Sequence, residues 1–191
     1  MRNESALIAR VCHDLITPFN AINLGLEAFD MSRDESLLNS IRESVDKANS
    51  LMKFMRELYS ERSETFCYSS FSLKQLISDF LKFHSSSFEL ESDMENIANV
   101  AGKIIMYMAV VAKEIMPFGG SIITKIDDEL GEITTRCSGK SISAPEMSFF
   151  GELNHKNIIR HSLVALLKES EFKLTVYQEG SDVIFRKKMA A

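Results

Sequence analysis

The sequence predicts two folded parts in series: an N-terminal helical hairpin that forms a homodimeric four-helix bundle, and a C-terminal α/β sandwich. Three observations carry this. Apolar residues recur at steps of three and four through the first sixty positions, the period of one helix face. From position 72 onward, helix-like runs alternate with short strand-like stretches. Between them, Ser60 to Ser70 is serine-rich and charged, the composition of a connector. The expected organisation is a hairpin over residues 1-61, a linker over 62-71 and an α/β domain over 72-191.

In the first helix, Ile8, Val11, Leu15, Phe19, Ile22, Leu26 and Phe29 form one apolar seam. The polar turn Met31-Ser32-Arg33-Asp34 follows. Leu38, Ile41, Val45, Ala48, Met52, Met55 and Tyr59 then repeat with a heptad-like period. Two helices joined by a short turn pack antiparallel, but they cannot bury both seams alone. A second copy solves this most simply, which places Ile41, Val45, Met52 and Met55 between subunits. Packing of the hairpin on the rest of its own chain is the alternative.

The second half reads as alternating elements. Ser72-Leu73-Lys74-Gln75 has the form of a capping box opening a helix through Phe83. Phe88 to Glu91 alternates like a strand, and a second capping box at Ser92-Asp93-Met94-Glu95 opens an apolar helix to about Met116. Pro117-Phe118-Gly119-Gly120 stops it. Strands are expected at Ser121 to Ile126 and Glu132 to Cys137, then an irregular stretch from Gly139 to Gly151. A helix from His155 to Lys168 precedes strands Phe172 to Gln178 and Asp182 to Lys187.

Composition narrows the function. A chain of 191 residues with 45% hydrophobic content can bury a core. Its net charge of -5 lacks the basic footprint of a nucleic-acid binder. No stretch has the length of a membrane span, and Met1-Arg2-Asn3-Glu4 is not an apolar leader, so a cytoplasmic protein is expected. Cys12, Cys67 and Cys137 have no metal-ligand spacing and are expected to be small buried or half-buried residues. His155 and His161, six apart, do not share a helix face.

Chemistry concentrates at His13-Asp14-Leu15-Ile16-Thr17-Pro18. His13 sits two positions from both Val11 and Leu15, so it projects away from the seam. It falls on a polar stripe with Arg10, Thr17 and Asn20. Thr17 lies one turn on and shares its face, while Asp14 is about 100° around the helix and still within reach of the ring. An exposed imidazole oriented by a carboxylate is the equipment of a phospho-accepting histidine.

That hexapeptide resembles the H-box of sensor histidine kinases: His, acid, Leu, any, Thr or Ser or Asn, Pro. The longer run from Arg10 through Asn20-Ala21-Ile22-Asn23 to Glu27 is similar to the alphaproteobacterial ChpT-type histidine phosphotransferases, with Thr17 where those usually have Ser. The second half resembles a histidine kinase ATPase domain in its order of elements, but a degenerate one. Two nucleotide-facing asparagines of that family correspond to Tyr107 and Val111, and neither replaces an amide oxygen on a hard cation. The Asp-any-Gly-any-Gly box is absent, only Ser138-Gly139-Lys140 following Cys137. No glycine-rich run ahead of His155 can cradle phosphates.

The resemblance implies a phosphorelay transferase fed by a receiver aspartate rather than by ATP. No cofactor is expected on this chain, and Mg2+ is expected from the receiver. Donors would be the receiver of a hybrid histidine kinase, acceptors response regulators of the CtrA and CpdR type. His13 is the expected nucleophile, Asp14 holds its tautomer, and Thr17 lines the phosphoryl entry. Arg10 is expected to pair with phosphoryl oxygens or an acidic receiver rim, and Pro18 to bend the helix just after the site. Asn20 and Asn23 are receiver contacts or merely solvate the helix. An ATP-dependent sensor-type kinase and a non-catalytic dimeric scaffold are the alternatives.

Overall fold

Two long helices open the chain, α1 at Arg2–Ser32 and α2 at Ser36–Tyr59. The computed structural model describes residues 2–142, 158–169 and 172–189. The turn between the helices forms where Arg33 takes a left-handed conformation, φ 54°. There the Asp34 carboxylate accepts a hydrogen bond from the Ser36 N–H at 2.9 Å. This satisfies one of the amides a helix start leaves orphaned and holds the Asp34 carboxyl below its ordinary range. Halfway along, a side chain at Gly25 would stand 2.6 Å from Ile41. Glycine is what lets the two backbones close at that level.

The α1 seam divides. Val11, Leu15, Ile22 and Phe29 are half-buried, whereas Ile8, Phe19 and Leu26 are exposed. At 100° per residue the two sets are centred about 50° apart, so one stripe in sequence becomes two faces. On α2, Ala48, Leu51, Phe54, Met55 and Leu58 are buried within the chain, leaving Val45 and Met52 outside. The expectation that Met55 faces another subunit is therefore corrected: it packs on its own second domain. Ile41 likewise meets α1 at Gly25. Pro18 is buried within α1, which continues through it as one helix.

Strand β1, Cys67–Ser69, pairs antiparallel with β3, Asn96–Ala98. The expected linker thus contributes a strand. This pairing also moves two helix starts. Helix α3 runs Ser70–Leu81 with Ser69 as its cap, the hydroxyl accepting from Ser72 N–H at 3.1 Å. Ser72, the expected cap, is already inside the helix. Helix α4, Asn99–Ile115, starts only after β3. Ser92 accepts from Met94 N–H at 3.1 Å in a local turn rather than capping a helix, the competing use of a serine hydroxyl.

Strands β2 (Ser86–Glu91), β4 (Gly120–Asp127), β5 (Glu132–Ser138), β6 (Phe172–Glu179) and β7 (Asp182–Met189) form a sheet of order β2-β4-β5-β7-β6. Only the β2–β4 pair among these is parallel. Its start needs glycine. Gly119 has φ +76°, and a side chain there would lie 2.1 Å from the Ser85 carbonyl. Helix α5, Ile158–Glu169, packs on α4. The expected irregular stretch to Gly151 and the first residues of the helix expected from His155 fall largely outside the described residues.

The core lies between sheet and helices and is centred on α4, whose Ile104 through Ala112 are all buried. Phe54 of α2 stacks on Phe80 of α3 with ring centroids 4.1 Å apart. An offset aromatic pair of this kind adds about 1 kcal/mol to the burial of its area. The hairpin base and the α/β domain therefore share one core. Cys137 is buried, but Cys12 and Cys67 are exposed, contrary to the expectation of small packed residues. No group of three metal-ligating side chains occurs among the described residues. No helix among them is long and apolar enough to cross a membrane.

Candidate functional site

His13 stands on α1 with its side chain 69% exposed, and its Nδ1 lies 3.2 Å from Asp14 Oδ1. Asp14 is only 14% exposed and takes Arg10 Nε on its other oxygen at 2.9 Å. Burial alone would raise the Asp14 carboxyl; Arg10, hydrogen bonds from His13 and Arg10, and Lys113 together bring it below the ordinary value. The carboxylate is therefore ionised and can only accept. The His13 contact consequently requires a proton on Nδ1, which puts the ring's lone pair on Nε2.

Arg10 does not face outward. Its side chain is 13% exposed and reaches Glu114 of α4 at 3.1 Å as well as Asp14. Glu114 in turn accepts from Arg160 of α5 at 3.1 Å. The expectation of a partner-facing guanidinium is corrected: Arg10 ties α1 to the second domain and fixes Asp14. The reason is geometric, since residues 10 and 14 share a face and α4 covers that face. Thr17, Asn20 and Asn23 are exposed, so the polar stripe survives without its first member. Pro18 lacks an N–H, which leaves the Asp14 carbonyl without its helical donor.

Beside His13, Asp14 and Thr17 a cleft of about 200 Å³ opens between the hairpin and the second domain. Lys47 of α2, Lys113 of α4 and His84 complete its polar lining, over an apolar floor of Leu51 and Phe80. The Lys113 ammonium lies 5.2 Å over the Phe80 ring, and burial lowers its proton affinity. His84 ends a single 3₁₀ turn at Lys82–His84. Burial, Lys113 and Lys47 push it down to about 4, with Asp14 opposing. Sequence reasoning missed all three cleft residues. Lys47 meets His13 only through the hairpin register, and Lys113 only through docking of α4, neither of which a local pattern encodes.

The two α4 positions that the resemblance aligns with asparagines of the kinases carry no amide. Val111 is fully buried and offers only an isopropyl group. Tyr107 is 7% exposed, is hydrogen-bonded to Ser162 of α5, and meets Tyr59 edge-on at 6.4 Å. A hard cation needs oxygen ligands, and here an alkyl group and an occupied phenol take those places.

No family model matches the sequence. The chain is 22% identical over 191 residues to Protein phosphotransferase ChpT of Brucella abortus (strain 2308), covering 94% of this chain and 91% of that one. A solved bacterial phosphotransferase superposes with TM-score 0.85 at 18% identity, covering 97% of this chain and 95% of the other. The Acinetobacter baumannii histidine kinase AdeS gives 0.51 at 15% identity, with 93% and 97% covered. The histidine kinase ThkA, solved in complex with response regulator protein TrrA, gives 0.50 at 17% identity, with 95% and 60% covered. The chain is thus ChpT-like over nearly its full length, on a histidine-kinase-like fold.

Proposed function

We propose that this protein is a histidine phosphotransferase of a two-component phosphorelay, taking a phosphoryl group from a receiver aspartate onto His13 and passing it to response regulators. The observation that carries the reading is the exposed His13 ring held through Nδ1 by Asp14 at 3.2 Å. In the transfer, the receiver's aspartyl O–P bond breaks and its electron pair returns to the carboxylate. The Nε2 lone pair forms the new N–P bond, and the Nδ1 proton stays hydrogen-bonded to Asp14. Both phosphorylated species are high in energy, so positioning supplies most of the catalysis. Mg2+ belongs to the receiver in this scheme.

Thr17 lines the approach to Nε2, and Asn20 and Asn23 extend the receiver-facing stripe. Exposed Phe118 borders a second hollow that shares Phe83, His84 and Lys113 with the first, giving the receiver a foothold on the second domain. Exposed Ile8, Phe19, Leu26, Val45 and Met52 supply the apolar face of a homodimeric four-helix bundle. The similarity to the Brucella phosphotransferase ChpT and to ThkA, solved in complex with a response regulator, supports this reading. Receivers of the CtrA and CpdR type are the partners that the resemblance names.

The test is label transfer from a phosphorylated receiver. The wild type should acquire acid-labile, base-stable label, and His13→Ala should acquire none while remaining folded. Undiminished labelling of His13→Ala would overturn the assignment.

A further inference from the structure

We infer that Lys47 and Lys113 are ligands for the phosphoryl oxygens of phospho-His13, so that the second domain lends a cation to the phosphorylated state. The inference rests on the phosphotransferase reading above. Both lysines line the cleft that His13, Asp14 and Thr17 border, one from the hairpin and one from α4. Among the described residues neither is in an ion pair, whereas Arg10, Arg136 and Arg160 all are. Lys113 is half-buried against the Phe80 ring. Keeping an ammonium there, without a carboxylate of its own, costs desolvation free energy.

A phosphoryl dianion on His13 offsets that cost. It brings three acceptor oxygens beside two donors that have three N–H bonds each, in a cleft that weakens solvent screening. The alternative anion, Asp14, already receives Arg10 and His13. His84 lines the same cleft, and burial together with the two lysines disfavours a charge on it before a phosphoryl group arrives. This also gives the degenerate domain a chemical use for α4: the helix that holds no magnesium ligand at Val111 carries Lys113 two positions later.

The transfer equilibrium separates this role from docking. The constant relating phospho-His13 plus free receiver to His13 plus phosphorylated receiver depends only on the separated species, so contacts made solely in the complex cannot change it. Lys113→Met and Lys47→Met should each shift it toward the receiver by on the order of fivefold or more, as expected for removing a charge that lines the cleft His13 borders. Lys113→Arg should restore most of the loss. A slower approach to an unchanged equilibrium would make the lysines docking contacts and overturn the inference, as would no effect on either. Should Lys113→Met fail to fold, Lys47→Met and Lys113→Gln read the same constant. Absence of any phospho-His13 in the wild type would instead sink the phosphotransferase reading itself.

Discussion

Arg10 on α1 and Glu114 on α4 lie 3.1 Å apart, with side chains 13% and 12% exposed. This contact joins the hairpin to the second domain one turn before His13. The same guanidinium holds Asp14 at 2.9 Å, so the placement of α1 and the orientation of the His13 ring depend on one side chain.

Truncating that side chain should therefore be costly in stability. Arg10→Ala takes a hydrogen bond from Asp14 and an ion-pair partner from Glu114, both little exposed, which should lower the unfolding free energy by about 2–3 kcal/mol. A double-mutant cycle with Glu114→Ala, read by urea denaturation, should show a coupling of about 1 kcal/mol or more. Additive losses would mean that the pair contributes nothing.

Asp14→Asn separates orientation from fold. The amide keeps an oxygen near His13 Nδ1 but gives up the charge, and its NH2 end can favour the wrong tautomer. Stopped-flow transfer from a phosphorylated receiver should slow by about 10- to 100-fold, while receiver affinity stays within about twofold because the side chain is only 14% exposed. An equal fall in affinity would place Asp14 in the docking surface instead.

Much of this was legible in the sequence, and the parts that were not share a physical cause. Helical period and the Arg33-Asp34 turn specify the hairpin locally, and the H-box places His13 beside Asp14 by helix geometry alone. What failed was whatever depends on tertiary packing. Arg10 belongs to the polar stripe by position, yet α4 covers it. Met55 fits the heptad, yet its own second domain buries it. Ser72 and Ser92 match capping boxes, yet the β1–β3 pairing claims the backbone around them. Lys47 and Lys113 carry no local signature, since their meaning comes from meeting across two domains.

Acid should weaken the folded state through His84. Its folded value of about 4 lies below the ordinary 6.5, so between those values the unfolded chain binds a proton that the folded chain refuses. Stability then rises with pH across that window and is lost as pH falls from 6.5 toward 4. Asp14, also depressed, adds a loss only nearer its ordinary 3.8 and below. Thermal unfolding at pH 7 and pH 5 should differ by about 1–2 kcal/mol in the wild type after allowance for solvent screening. His84→Gln should remove most of that difference, and an unchanged slope in the variant would assign it elsewhere.

Assembly has its own check. Val45 is 39% and Met52 46% exposed in the single chain, seven residues apart on one face of α2, and Phe19 and Leu26 of α1 are exposed as well. If the bundle closes over this face, Val45→Glu buries an unpaired carboxylate at a cost of several kcal/mol and should yield monomers in sedimentation at micromolar concentration. A wild type that is monomeric under the same conditions would refute the four-helix bundle.

ATP should neither bind nor phosphorylate this protein. The reason lies on α4: Val111 is fully buried and Tyr107 is 7% exposed, where the resemblance to kinases would put two amide side chains. Tyr107 is also committed to Ser162 of α5, and α5 packs along the same helix. A nucleotide's magnesium would find no oxygen ligand at Val111. Restoring the two side chains is not enough, because phosphates also need glycine-permitted backbone amides, and no glycine-rich run follows in the sequence. Calorimetry with ATP and Mg2+ should show no binding heat at millimolar ligand for the wild type or for the Tyr107→Asn/Val111→Asn double variant. Saturable micromolar binding, or labelling of His13 from ATP, would return the chain to the kinases and leave Lys113 beside a nucleotide rather than a phosphohistidine.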